Sequence, residues 1–299
     1  MSARPICNYE GSRYSTEFWD SSRAYEDGAE RAALRVLLPP QGRRLIEIGA
    51  GFGRLADLYQ GYETVVLFDY ASTQLEQAVE RLGEAGPSGT PRYVYVMADF
   101  YKLPFVPGLF DTVTMIRTLH HAVDAPAVLE GVARILAPHG VFVLEFANKH
   151  NLKALARYGA RRQRWSPFDL GPVEFAAALN FDFHPRWIWD QLARIGLRRE
   201  AVRTVSHFRL GALKRLLPAA WLVALDRLIQ PTGRWWQWSP SVFVRAAAGD
   251  KDAAPADAFF ACPECGAPLG APSPTAFTCA GCGRAWKRQG AIYNFREAA

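Results

Sequence analysis

Apolar residues recur at helical spacing over 26–38 (Ala29, Ala33, Val36, Leu37), and Pro39-Pro40 followed by Gly42 stops the run. A β-type run follows at 44–48, then a glycine-rich turn at 49–53 and a predicted helix over 54–60. The rhythm repeats with a strand over 64–68, a helix over 72–83, strands over 92–97 and 112–116, a helix over 125–136 ended by Pro138 and Gly140, and a strand over 141–146. Strands alternating with helices of this length predict right-handed crossovers and an α/β fold, a doubly wound, mainly parallel seven-stranded sheet completed by strands at 199–205 and 241–245.

Two stretches break the rhythm. The first, 149–184, is rich in Arg and aromatic residues and precedes a predicted helix over 185–195. The second, 208–238, sets Leu210, Leu213, Leu217, Trp221, Leu225 and Leu228 along one side of a helix-like run, with Trp235, Trp236 and Trp238 close behind. It reads either as a cap packed on the domain or as a surface lying in a membrane interface; Lys214, Arg215, Asp226, Arg227 and Pro218 exclude a span. Both are read as lid insertions. The chain thus divides into an N-terminal cover over 1–25, a domain over 26–248, a linker over 249–258 without bulky apolar anchors, and a small unit over 259–299.

Composition changes the picture in one respect, the distribution of charge. Residues 1–148 carry 13 basic and 18 acidic side chains, whereas 149–245 carry 17 basic and 6 acidic, a net of +11. A field of that sign in the inserted half suits an anionic partner: RNA, a phospholipid surface or an acidic small molecule. No run of about 20 uncharged apolar residues and no signal-peptide pattern stands in the chain, so the expected location is cytoplasmic, with any membrane contact peripheral.

The chemistry starts at Glu47-Ile-Gly-Ala-Gly-Phe-Gly53, directly after the first strand. Alternate glycines let the backbone turn sharply and approach a ligand without Cβ clashes. A dinucleotide loop of the Gly-x-Gly-x-x-Gly type needs glycine at 54, where this chain has Arg54. Further along stand Asp69 after Val65-Val-Leu-Phe, Ala98-Asp99-Phe100, Leu103-Pro104-Phe105, Phe110-Asp111, Leu119-His120-His121 and Leu136-Ala-Pro-His-Gly140. Together these resemble the ordered landmarks of class I S-adenosylmethionine-dependent methyltransferases, densely over 26–148 and loosely over 185–245. The resemblance implies that Glu47, Gly49, Ala50, Gly51, Gly53, Asp69, Tyr70, Asp99, Phe100 and Arg117 hold the cofactor, Asp69 at the ribose and Asp99 at the adenine. Methyl transfer from an activated sulfonium asks the protein to align donor and acceptor and to exclude water, so no nucleophilic triad is required.

Three histidines are candidate catalytic groups: His120 and His121 past the fourth strand, at the sheet edge where ligands bind in such folds, and His184 at the start of the helix over 185–195. Tyr14, Phe18, Trp19 and Tyr25 are candidates for an aromatic cover. Cys262-Pro-Glu-Cys265 and Cys279-Ala-Gly-Cys282 form two knuckles with glycine after each pair, a spacing that suits tetrahedral structural zinc and resembles zinc ribbons. Cys7 is left over and reads as inert. The acceptor reading leans to a small or lipophilic anionic molecule. Methylation of rRNA or tRNA with the ribbon as RNA grip, or a cofactor-binding adaptor without catalysis, are the alternatives.

Overall fold

A computed structural model of the chain describes residues 4–12, 19, 23–85, 92–175, 178–273 and 276–296. Helix α1 (Ala24–Leu37) leads into β1 (Gly42–Ile48), followed by β2 (Tyr62–Asp69), α2 (Ser72–Leu82), β3 (Arg92–Met97), β4 (Phe110–Met115), α3 (Ala125–Ile135) and β5 (Leu136–Ala147). The first insertion holds α4 (Leu152–Gly159) and a two-residue ribbon, β6 (Val173–Glu174) with β7 (Phe181–Asp182). Then come α5 (Pro185–Arg194), β8 (Leu197–Val205), α6 (Gly211–Leu216), α7 (Ala219–Ile229) and β9 (Ser241–Ala248).

Seven of these strands form the expected sheet, in the order β3-β2-β1-β4-β5-β9-β8, parallel from β3 through β5 and antiparallel at β9. Strand alternation splits the core in two. Leu45, Val65 and Leu67 face α1 and α2, while Ile46, Ile48, Val66 and Phe68 face the opposite layer. Between Gly53 and Gly61 there is room for only a short 3-10 turn, Ala56–Tyr59, with no side-chain cap, where periodicity predicts an α-helix.

The last unit is not a separate bead on its linker. Its strands are β10 (Phe260–Ala261), β11 (Pro268–Gly270), β12 (Phe277–Thr278), β13 (Ala285–Gln289) and β14 (Ile292–Asn294). Strand β14 runs parallel to β3, pairing Ile292 with Tyr95 and Asn294 with Met97, so that β12-β13-β14 extends the main sheet to ten strands and covers its free edge. Phe260 stacks on Phe105 of the core at 5.8 Å between ring centroids, and Phe277, Trp286, Tyr293 and Phe295 complete the cluster. The linker is pinned too: Ala254 N–H donates to the Gly108 carbonyl at 3.0 Å and Lys251 Nζ to the Ala133 carbonyl at 2.6 Å. Composition misses this because the linker's anchors are polar, one main-chain N–H and one lysine ammonium, and a pairing edge leaves no mark on apolar content.

The apolar side expected for the second insertion divides in the structure. Leu213 and Leu217 pack on the core, whereas Leu210, Trp221, Leu225 and Leu228 are exposed.

Candidate active site

At the carboxyl ends of β1, β2 and β4 lies an open cleft of about 640 Å³, lined by Ile48, Gly49, Phe68, Asp69, Tyr70, Gln74, Ala98, Phe100, Arg117, Thr118 and His121, with Ile6, Cys7 and Tyr9 of the N-terminal segment over it. The glycines make it. Gly49, Gly51 and Gly53 all have left-handed φ (77°, 53° and 72°), and a Cβ on Gly49 would lie 2.0 Å from Thr118 Oγ1. A Cβ on Gly53 would strike Leu82 at 2.8 Å, so that glycine serves the packing of α2. Around Gly51 there is open space, with only Gln74 Oε1 within reach at 3.9 Å.

Asp69 is fixed by the backbone: Oδ2 accepts from Gly51 N–H at 2.8 Å and Oδ1 from Ala71 N–H at 3.0 Å. Burial nevertheless raises its carboxyl above the usual range. Ala50 is buried, and its N–H goes to the Phe68 carbonyl. Tyr70 carries Arg296 of the C-terminal unit over its ring, and Arg296 Nη1 donates to the Tyr70 carbonyl at 3.1 Å. Asp99, raised by burial, accepts from Tyr101 N–H beside the cleft, and Phe100 lines it. Glu47 is fully buried next to the loop, its carboxyl pushed up to about 8 by burial. Glu47 Oε2 and Gln74 Oε1 are buried acceptors without a donor among the described residues. Buried polar atoms left this way are rare in folded proteins and mark strain or a missing ligand.

A second, larger cleft of about 1010 Å³ adjoins the first through Tyr9 and Arg117. Its lining comes from distant segments: Arg23, His120, Glu145, Ala147, Phe175, Asn180, Asp182, Arg209, Pro240 and Ser241. Arg117 holds φ at +55°, a strained backbone position for a non-glycine residue. Its N–H donates to Glu145 Oε2 at 2.9 Å, and its guanidinium pairs with buried Glu30, which Arg54 also holds at 2.8 Å. Burial would raise Glu30, but the two guanidiniums outweigh it and keep the carboxyl below its ordinary range. Arg117 is therefore a partition between the clefts, anchored to protein acids.

The remaining charges in this cleft are poorly matched. Arg209 has a buried Nε with no acceptor among the described residues, and burial depresses its guanidinium. Asp182 accepts no hydrogen bond among the described residues, and burial, with Glu145 nearby, pushes its carboxyl up to about 6. Burial, then His121 and Arg117, hold His120 well below its usual range, so it is neutral at physiological pH.

The three candidate histidines separate. His120 faces the second cleft; His121 faces the first, bonded to Tyr9 Oη at 3.0 Å and the Leu179 carbonyl at 3.1 Å. His184 lines neither, because its Nδ1 caps α5 by accepting from Arg186 N–H at 3.1 Å. Of the proposed aromatic cover, Tyr14 and Phe18 lie outside the described residues. Trp19 lies over the Arg54 and Arg117 guanidiniums, and Tyr25 is core, its hydroxyl on Asp226 at 3.1 Å. Cys7, read as inert, lines the first cleft. Glu145, Asp182 and Arg209 escaped sequence reasoning; a lone acid in a strand, or a lone acid or arginine in an insertion, carries no local signal.

Away from both clefts the four thiols converge, with all Sγ atoms within 4.8 Å of one another, Cys262 to Cys282 at 3.7 Å and Cys265 to Cys279 at 3.4 Å. Four sulfurs each 2.3 Å from a tetrahedral centre stand about 3.8 Å apart.

Comparison with known proteins agrees with this geometry. Residues 46–144 match the family model described as a methyltransferase domain. A ubiquinone biosynthesis O-methyltransferase from Paracidovorax citrulli is 34% identical over 158 residues, half of this chain, which spans 65% of that relative's length. A demethylmenaquinone methyltransferase from Clavibacter sepedonicus is 28% identical over 209 residues, 68% of this chain and 80% of the relative. Among solved structures, a chain of the complex between the Haloferax volcanii Trm112 methyltransferase activator and a methyltransferase superposes with a TM-score of 0.54 at 15% identity, covering 79% of this chain and 96% of that one. The chain thus has a mixed α/β, Rossmann-like fold like that of the solved methyltransferase structure it superposes on, and residues 46–144 match a methyltransferase domain.

Proposed function

We propose that the protein binds S-adenosylmethionine in the first cleft and methylates a small, anionic acceptor held in the second. When bound, the cofactor supplies a methyl group already activated on a sulfonium. The residues fit it. The space over Gly51 admits a ligand against the backbone, Asp69 offers its carboxylate to ribose hydroxyls, Phe100 and Ala98 offer apolar surface to a purine, and the orphaned acceptor Gln74 Oε1, which lines the cleft, suits a donor of the cofactor's amino-acid moiety.

The observation that carries the acceptor reading is Arg209, a cation with a buried, unanswered Nε in a cleft that shares a wall with the cofactor site. An acid group on the acceptor would complete it. Phe175 and Ala147 offer apolar contact, and Asp182 and His120 are the groups placed to take a proton from the acceptor. The relatives' names, one of ubiquinone biosynthesis and one of demethylmenaquinone methylation, support a quinone-type acceptor. Zinc in the four-cysteine cluster would be structural, since four thiolates leave no open position.

The test is methyl transfer from radiolabelled cofactor into a small-metabolite and lipid extract, with wild type and Arg209→Ala side by side. Transfer into an acidic small molecule is expected, and the variant's KM for it should rise about 10- to 100-fold with cofactor affinity unchanged. Labelling confined to RNA, or an unmoved KM, would contradict the reading.

A further inference from the structure

Helix α7 is amphipathic the wrong way round. Its inward face carries Leu222 and the carboxylate of Asp226, which accepts from Tyr25 Oη and His207 N–H. Its outward face carries Trp221, Leu225 and Leu228, 67%, 44% and 77% exposed, at i, i+4 and i+7. The chain continues through the 3-10 turn Gln230–Arg234 into Trp235, Trp236 and Trp238, all exposed, with Trp236 stacked on Trp238. Leu152 of α4, also exposed, joins them through its N–H on the Trp238 carbonyl at 2.9 Å. Scattered surface apolar residues are ordinary; a continuous run of tryptophans and leucines marks a contact surface.

Charge decides the partner. Arg215, Arg227 and Arg234 stand exposed within this segment and, among the described residues, make no ion pair. They belong to the stretch that carries 17 basic and 6 acidic side chains. Tryptophan with unpaired arginine suits the headgroup layer of an anionic bilayer, where the indole sits at the apolar boundary and the guanidinium meets phosphate. No helix among the described residues is long and apolar enough to cross a membrane. The geometry points to a peripheral docking face: α7 and the Trp235–Trp238 segment lie in the interface of a bilayer rich in anionic phospholipid. The face leads towards the second cleft along the chain, since Trp238 is exposed and Pro240, two residues on, lines that cleft.

The full chain should cosediment with vesicles of phosphatidylglycerol and phosphatidylcholine in equal parts and shift its tryptophan emission to the blue, with little binding to phosphatidylcholine alone. Trp221→Ser with Leu225→Ser and Leu228→Ser, all at exposed positions, should weaken partitioning at least about tenfold. Arg215→Gln with Arg227→Gln and Arg234→Gln should weaken it about a hundredfold on the anionic vesicles and remove most of its salt dependence. Equal binding to neutral vesicles, no binding to either, or apolar variants that bind as wild type would overturn the proposal. So would a lipid-free dimer that the Trp221 variant set dissolves while wild type ignores vesicles, which would make the face a contact between copies.

Discussion

The cleft over the glycine loop is walled mostly by one stretch of chain, from Ile48 to Phe100, and its floor is set by backbone: left-handed glycines and main-chain bonds to Asp69. The cleft beside it draws on Arg23, His120, Glu145, Phe175, Asp182, Arg209 and Ser241, and its character comes from side-chain charges only partly neutralised by one another. The first is a cradle whose geometry is local, the second a charged chamber assembled by tertiary packing. A ligand common to a family fits the first kind of site, and specificity is free to change in the second.

The difference can be pressed hardest at Asp182. Asp182→Asn should leave cofactor affinity as it is and slow methyl transfer about a hundredfold, the usual scale for a proton-transfer group. The wild-type rate should climb as pH rises through about 6, where the carboxyl ionises, and the variant should lose that limb. Stability moves the other way. A carboxyl raised in the folded state binds more protons there than in the unfolded chain, so its contribution declines as pH climbs from its ordinary range to about 6, and Asn should remove that decline. An unchanged pH profile with full activity would place the proton acceptor elsewhere, with His120 next in line.

A smaller effect should separate the two clefts from the opposite side. The C-terminal unit touches the first cleft: β14 pairs with β3, Phe295 N–H donates to the Met97 carbonyl at 2.8 Å, and Arg296 holds the carbonyl of Tyr70, which lines the cleft. Cys262→Ser with Cys265→Ser should abolish the proposed zinc binding and weaken cofactor binding several-fold, leaving acceptor KM nearly untouched. The size is that of losing one or two hydrogen bonds, each worth about 1 kcal/mol. Intact cofactor affinity in metal-free protein would show that the unit is separable, as its linker composition suggests.

What the sequence disclosed follows the same division. The seven strands of a mainly parallel sheet, the glycine turn and the acids after β2 and β3 were legible because each depends on residues close in the chain, where periodicity and turn chemistry act. The cysteine knuckles were legible for the same reason. His184 misled because a histidine before Pro185 reads equally as a ligand or as a helix cap, and only the bond to Arg186 N–H tells them apart. Asp182 and Arg209 were invisible, since the charges that act on them, Glu145 on both and Arg117 and Glu30 on Arg209, stand far away in the chain, and the pairing of β14 with β3 was hidden because edge strands recognise each other by backbone.

The central claim is that the first cleft is a cofactor site for S-adenosylmethionine, and calorimetry with the full chain tests it most directly. Wild type should release heat with S-adenosylmethionine and S-adenosylhomocysteine at one site per chain, and Gly49→Val, whose branched side chain meets Thr118 at a left-handed φ, should show none while keeping its folded circular dichroism. Silence from folded wild type with both ligands, beside clear binding of a nicotinamide dinucleotide, would contradict it.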